Sequence, residues 1–195
     1  SSFWITGEKA RENVHLMRAR SQAVIIGART ALKDKPQLTV RHVATKTQPL
    51  RVLLDATGRV PPEGPLFDVT QAPTLIMTAT EDQERIEAWK KTGCEVCIMP
   101  KKESGKGLNL DAVLKELAKR NILQVLVEGG ASVFSSLIKQ QLVNRLVLYM
   151  GSCFLGAEGL SLASELNLKS IDDAIRMHLV SMTRFGKDVR LDYTF

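Results

Sequence analysis

The chain has 195 residues, 44% of them hydrophobic and 25% charged, with a formal net charge of +6. That length and balance suit one soluble domain with a real core, and three cysteines are too few and too odd in number for a disulfide scaffold. No apolar run approaches the roughly 20 residues that span a bilayer, and the N-terminal stretch lacks a basic-then-apolar signal pattern, so no membrane partner and a cytoplasmic location are expected.

Thr6 suits an N-cap and Glu8 the first turn of a helix, GEKARENVHLMRAR, that sets Ala10, Val14 and Met17 on one face. Arg11, His15 and Arg18 form a stripe beside that face, from which Arg18 can reach the edge of a cleft. AVIIG (23–27) then reads as a buried strand. GARTALKDKPQLTVR has no clean period; Asp34-Lys35-Pro36 should turn before an extended QLTVR, in which Thr39 and Arg41 share one face and Leu38 and Val40 the other. LRVLLD (50–55), TLIMT (74–78), CEVCIM (94–99) and LQVLVE (123–128) are further short apolar runs of the kind buried in a sheet covered on both faces. Helical patterns fall at about 81–92, 110–120 and 131–141. RLVLYM (145–150) is followed near the end by two strand-like runs around a Gly186-Lys187 turn. The order predicts one α/β domain over 1–195 with an antiparallel finish.

Charge is uneven. Residues 1–60 hold eleven Lys and Arg against four Asp and Glu, and the rest holds sixteen against seventeen. A site for a phosphorylated small molecule, a nucleic-acid surface or a solvated basic face would each explain it. An aromatic content of 5% with no aromatic and basic interleaving leaves nucleic acid unsupported as a partner. Cys94 and Cys97 form a C-x-x-C, but on a strand their side chains point to opposite faces and no second ligand pair follows, so buried thiols and no metal are expected. The three histidines, His15, His42 and His178, are scattered. SGKG at 104–107 is not followed by Ser or Thr, so it reads as a surface loop rather than a P-loop, and no G-x-G-x-x-G occurs.

LVEGGASVFSSL (126–137) is the best candidate site. A buried strand ends in Glu128, Gly129-Gly130 turns the backbone tightly, and a helix follows with Phe134, Leu137, Ile138 and Leu142 at helical spacing. Free amides at that helix start favour a pyrophosphate, with Ser132, Ser135 and Ser136 near by; the alternative is a simple tight turn. Glu128 either complements the helix dipole or accepts hydrogen bonds from a ligand. Arg18 and Arg41 could together clamp a phosphate, or be two solvated arginines.

SSFWITGEKARENVHLMRARSQAVIIGARTALKDKPQLTVR, then PLRVLLD, then LVEGGASVFSSLI and LVNRLVLYMGSCFLG, taken in that order, resemble the reductase domain of the bifunctional riboflavin-biosynthesis deaminase/reductases over nearly the whole chain. The resemblance implies a dihydrofolate-reductase-like three-layer fold: a mixed, mostly parallel central sheet flanked by helices, with a C-terminal antiparallel hairpin, that binds NADPH without a G-x-G-x-x-G. It implies Ser2 at the substrate and Trp4, Thr30 and Asp34 at the cofactor. Arg18, Leu38 and Arg41 would hold the substrate and its ribose 5-phosphate, and Glu128 would contact substrate. Gly129 and Gly130, with Ala131, Ser132, Val133, Phe134, Ser135 and Ser136, would line the cofactor phosphates. Glu128, and after it Asp34, are the catalytic candidates. The implied reaction is reduction of 5-amino-6-(5-phosphoribosylamino)uracil to its ribitylamino counterpart, in a homodimer. The zinc-deaminase signatures H-x-E and P-C-x-x-C are absent, so a fused deaminase domain would be missing from this chain. A reductase of another, pteridine-type substrate and a non-catalytic nucleotide-binding module are the alternatives.

Overall fold

Four of the apolar runs join AVIIG in one parallel sheet, two of them paired with it directly, as continuous hydrophobic segments without in–out alternation should. The computed structural model describes residues 4–103, 105, 107–156 and 159–195. The described residues divide into two compact units, Ser1–Val14 with Phe134–Phe195, and His15–Val133.

The larger unit holds β1 (Ala23–Gly27), β2 (Leu50–Leu54), β3 (Thr74–Thr78), β4 (Glu95–Ile98) and β5 (Val125–Val127) in the order β4-β3-β2-β1-β5, every pair parallel. All residues of β1 and β3 are buried. Val24, Ile26, Leu53 and Ile76 join one core cluster with Ala28 and Ala31 of α2 (Ala28–Asp34) and Trp89 of α3 (Gln83–Lys91). α3 and α4 (Leu110–Lys119) start under Asp82 and Asn109, whose side chains accept from Arg85 N and Ala112 N, as N-caps should.

Arg51 stands on β2 within this apolar wall and is 0% exposed. Its guanidinium donates to the carbonyls of Gln37, Pro65, Asp68 and Ala72 at 2.6–3.2 Å. A buried cation here satisfies loop carbonyls instead of meeting a carboxylate. Reading LRVLLD as an apolar run missed this, because one arginine in six residues leaves the periodicity unchanged.

The other unit contains a second sheet, β6 (Arg145–Met150), β8 (Asp188–Thr194) and β7 (His178–Phe185) in that order, with both pairs antiparallel. Parallel and antiparallel strands are both present as expected; their hydrogen bonds divide them between two sheets. In the central strand, Asp192 is 2% exposed and accepts from Arg145, Arg190 and Ser181. Those guanidiniums outweigh burial, which alone would raise its pKa, and hold the Asp192 carboxyl below the ordinary value.

Two local expectations change. The carbonyl of Gly7 takes the first helical bond of α1 (Glu8–Arg20), so Gly7 and not Thr6 sits at the N-cap. Residues 28–34, which had no clean period, form α2, a helix of two turns whose buried positions are only alanines and therefore invisible as hydrophobic spacing. It stops at Lys35, which adopts φ 41°, before Pro36, a common helix terminator.

Candidate active site

The strand order reverses at β1. Winding from β1 runs outward through β2, β3 and β4, whereas β5 lies on its other side, so the carboxyl ends of β1 and β5 flank a topological switch point where open α/β sheets bind ligands. Glu128 stands at that point, its amide donating to Ile25 O at 2.9 Å. Its carboxylate is paired in fork geometry with Arg18: Nε donates to Oε1 at 2.5 Å and Nη2 to Oε2 at 2.6 Å. The two side chains are 17% and 12% exposed, which makes this the most sheltered of the Lys or Arg pairs with Glu among the described residues. Such a pair is screened less than a surface one.

Gly129 and Gly130 both have φ 87°, a conformation that L side chains rarely adopt. Nothing lies within 4 Å of where a Cβ on Gly129 would stand, so its backbone is open to a ligand. A Cβ on Gly130 would meet Thr30 Oγ1 at 3.2 Å, and one on Gly27 would meet Val133 at 2.8 Å. The glycines therefore let the end of β1 approach the start of α5 (Ala131–Lys139), whose first-turn amides lack helical acceptors. The expected neighbours Thr30, Gly130 and Val133 are brought together here. Asp34 is not: it is the exposed last residue of α2, roughly 10 Å of helical rise beyond Gly27.

Arg41 lies on the segment after α2. Leu38 and His42 have φ 54° and 64°, so the expected extended run QLTVR is interrupted at Leu38 and the chain turns again after Arg41. Leu38, expected at the substrate, is 2% exposed and belongs to the core cluster, so its side chain anchors the segment. Side chains take the role of neighbouring strands. Arg18 Nη1 donates to Thr39 O at 2.9 Å, Gln48 accepts from Val40 N at 2.7 Å and donates to Val40 O at 3.1 Å, and Arg41 N donates to His15 Nδ1 at 3.1 Å. Arg41 itself is exposed; its Nη1 donates to Gln37 and Thr39, and Nε and Nη2 make no hydrogen bond with described residues. His15 is 7% exposed and packs edge-on to His42, ring centroids 5.2 Å apart. Burial, then the charges of Arg18, Arg41 and His42, push its pKa down to about 4, against a hydrogen bond with the Thr39 backbone.

Arg18 on α1 thus reaches the segment that carries Arg41, but it has committed Nε, Nη1 and Nη2 to Glu128 and Thr39. The expected clamp of two free arginines is one ion-paired arginine and one available one.

In the other unit, Trp4 is 65% exposed and lies under the Arg11 guanidinium at 4.8 Å, while Arg11 also donates to Thr6 O. The segment is held from below: Gly7 N donates to Asp188 Oδ2 at 2.6 Å, and a Cβ on Gly151 would stand 2.4 Å from Ile5 O. An apolar cavity of about 520 Å³ opens among Ile5, Met150, Gly151 and Phe154. Ser135, expected among the residues that line the cofactor phosphates, is buried, and its hydroxyl exchanges hydrogen bonds with the backbone of Ser164. Phe134 and Ser136 are half-buried, Ala131 is half-buried and Ser132 exposed. Ser2 lies outside the described residues. His15, Gln48, Asp188 and Gly151 were missed as site residues from sequence; each acts through contact with backbone elsewhere in the chain, which leaves no periodic pattern.

A family model described as the RibD C-terminal domain matches residues 1–191. The riboflavin biosynthesis protein RibD of Aquifex aeolicus is 34% identical over 189 residues, covering 97% of this chain and 51% of that protein. Its counterpart in Chlamydia trachomatis is 40% identical over 189 residues, covering 94% and 49%. Among solved structures, Acinetobacter baumannii RibD matches with a TM-score of 0.82 and 28% identity over 100% of this chain and 52% of that one. A diaminohydroxyphosphoribosylaminopyrimidine deaminase/5-amino-6-(5-phosphoribosylamino)uracil reductase from Thermotoga maritima matches with a TM-score of 0.80 and 27% identity over 100% and 50%. The chain spans about half the length of the curated relatives it matches.

Proposed function

The chain belongs to the RibD C-terminal domain family, and on that premise we propose that it is a single reductase domain that reduces 5-amino-6-(5-phosphoribosylamino)uracil to the ribitylamino compound with NADPH. The observation that carries this reading is the sheltered Arg18–Glu128 pair at the β1/β5 switch point, one residue before an open Gly-Gly turn. The residues fit a dinucleotide: Gly129 leaves its backbone unscreened, and the α5 amides offer hydrogen bonds to phosphate oxygens. When bound, NADPH supplies the hydride.

The opened sugar is an imine at C1′; hydride adds to that carbon, the C=N π pair moves to nitrogen, and a proton completes the amine. Glu128 accepts from Arg18 through both oxygens, so we assign it orientation of the substrate N–H or O–H groups and not proton donation. Arg41, with Nε and Nη2 available, takes the ribose phosphate, and that remote anchor aligns C1′ with the hydride donor. Asp34 keeps no catalytic part.

The working form is a cytoplasmic homodimer; the apolar edge strand β7, with Leu179, Val180 and Met182 more than half exposed, supports pairing with a second copy. A deaminase domain, fused or separate, would provide the substrate.

The decisive measurement is NADPH oxidation at 340 nm by the purified chain with freshly made ribosylamino-pyrimidine. Absence of oxidation by folded protein overturns the reading. Glu128→Gln is expected to lower turnover about a hundredfold while NADPH affinity stays within about threefold; loss confined to NADPH binding would make Glu128 a structural residue.

A further inference from the structure

The fit of Arg41 to its phosphate depends on groups that never touch the substrate. Thr39–Arg41 belongs to no strand and pairs with none among the described residues. Its polar backbone is met by three side chains: Arg18 at Thr39 O, Gln48 at Val40 N and O, and His15 at Arg41 N. Two of these, His15 and Arg18, are three residues apart on α1, so one helical face holds the piece at both ends. Leu38 and His42 on either side have positive φ, a strained conformation for these residues that persists only where surroundings impose it.

We infer that His15 is a positioning residue for phosphate recognition, fixing the Arg41 backbone through Nδ1 so that the free edge of the guanidinium is aimed before the phosphate arrives. This deepens the reductase assignment and rests on it for the identity of the phosphate. The geometry sets the tautomer: Nδ1 accepts from Arg41 N, so it is unprotonated and the ring proton is on Nε2. A protonated ring would present a donor to a donor. The groups facing the imidazole are Arg18 from its own helix and Arg41 and His42 from the segment, all of which disfavour a second proton. His15 is therefore neutral at physiological pH and acts as an acceptor with fixed geometry. Removing the acceptor frees Arg41 to sample conformations in which its Nε and Nη2 no longer converge, and pre-organisation for the anion is lost.

The test separates this role from general support of the fold. His15→Leu keeps apolar bulk and deletes the acceptor; His15→Asn restores an acceptor, Oδ1, close to the place of Nδ1. The probe is ribose 5-phosphate, titrated calorimetrically against ribose, with Arg41→Ala for comparison and circular dichroism to confirm folding. We expect His15→Leu to weaken ribose 5-phosphate about tenfold, His15→Asn to stay within about threefold of wild type, and ribose binding to be unmoved by either. In turnover, the KM of the phosphorylated substrate should rise in His15→Leu with kcat within about threefold, whereas a loss of folded enzyme would lower kcat alone. Unchanged ribose 5-phosphate affinity in His15→Leu, an equal loss in His15→Asn, or a wild type that does not bind ribose 5-phosphate overturns the inference. Should His15→Leu fail to fold, Gln48→Leu decides instead, with the same expected direction and the same overturning result. Wild type that binds ribose 5-phosphate in a His15-dependent way yet never oxidises NADPH defeats the reductase assignment and leaves this inference standing.

Discussion

β2 and β7 solve opposite problems. β2 is the middle strand of a parallel sheet, buried along four of its five residues, and even its arginine is wholly enclosed, with Nη1 and Nη2 donating to four carbonyls of its own unit. β7 is an edge strand on which seven of eight residues are exposed, three of them large and apolar. The first strand completes its burial within the chain; the second leaves apolar surface and unpaired edge groups that a solitary molecule would have to hide from aggregation. Stability and the proposed assembly should then rest on different strands, and mutations should separate them.

The largest effect should come from emptying the enclosed side. Arg51→Leu strands four carbonyls in the core and is expected to cost about 4 kcal/mol in urea unfolding; a loss below about 1 kcal/mol would mean that water or loop movement replaces the guanidinium easily. A smaller effect belongs to Asp192, the buried anchor behind β7. Its folded pKa is depressed, so its contribution is complete above its ordinary value near 3.8 and is lost as pH falls through the lower folded value. Asp192→Asn should therefore cost about 2 kcal/mol at neutral pH and flatten stability against pH below about 4. An undiminished acid slope in the variant would assign that slope to other carboxyls. The smallest effect on stability should come from Met182→Lys on the open side, within about 0.5 kcal/mol, yet light scattering should show the dimer dissociate. If wild type is monomeric, or the variant remains dimeric, the contrast between the strands fails at β7.

Much of the fold was legible because its buried strands, parallel and antiparallel, announce themselves as short apolar runs. AVIIG, TLIMT and RLVLYM occupy the residues expected of them, and the terminal hairpin turns at Gly186-Lys187. α2 was not legible, since two buried alanines in seven residues carry no period. At the site, Glu128, Gly129 and Gly130 were marked by chemistry out of place, a carboxylate and two glycines ending an apolar strand. Arg51 was hidden for the converse reason: nothing in LRVLLD indicates that loops from 37, 65, 68 and 72 will converge on its side chain.

By itself the sequence determined most helices and strands but not α2, several of the turns, and which junction could receive a ligand, because propensity, periodicity and glycine conformation are local. Only the tertiary structure decided what the charged groups do there. Arg18 is 110 positions from Glu128 and His15 is 26 from Arg41, and such pairings depend on strand order and helix placement, which no local pattern encodes.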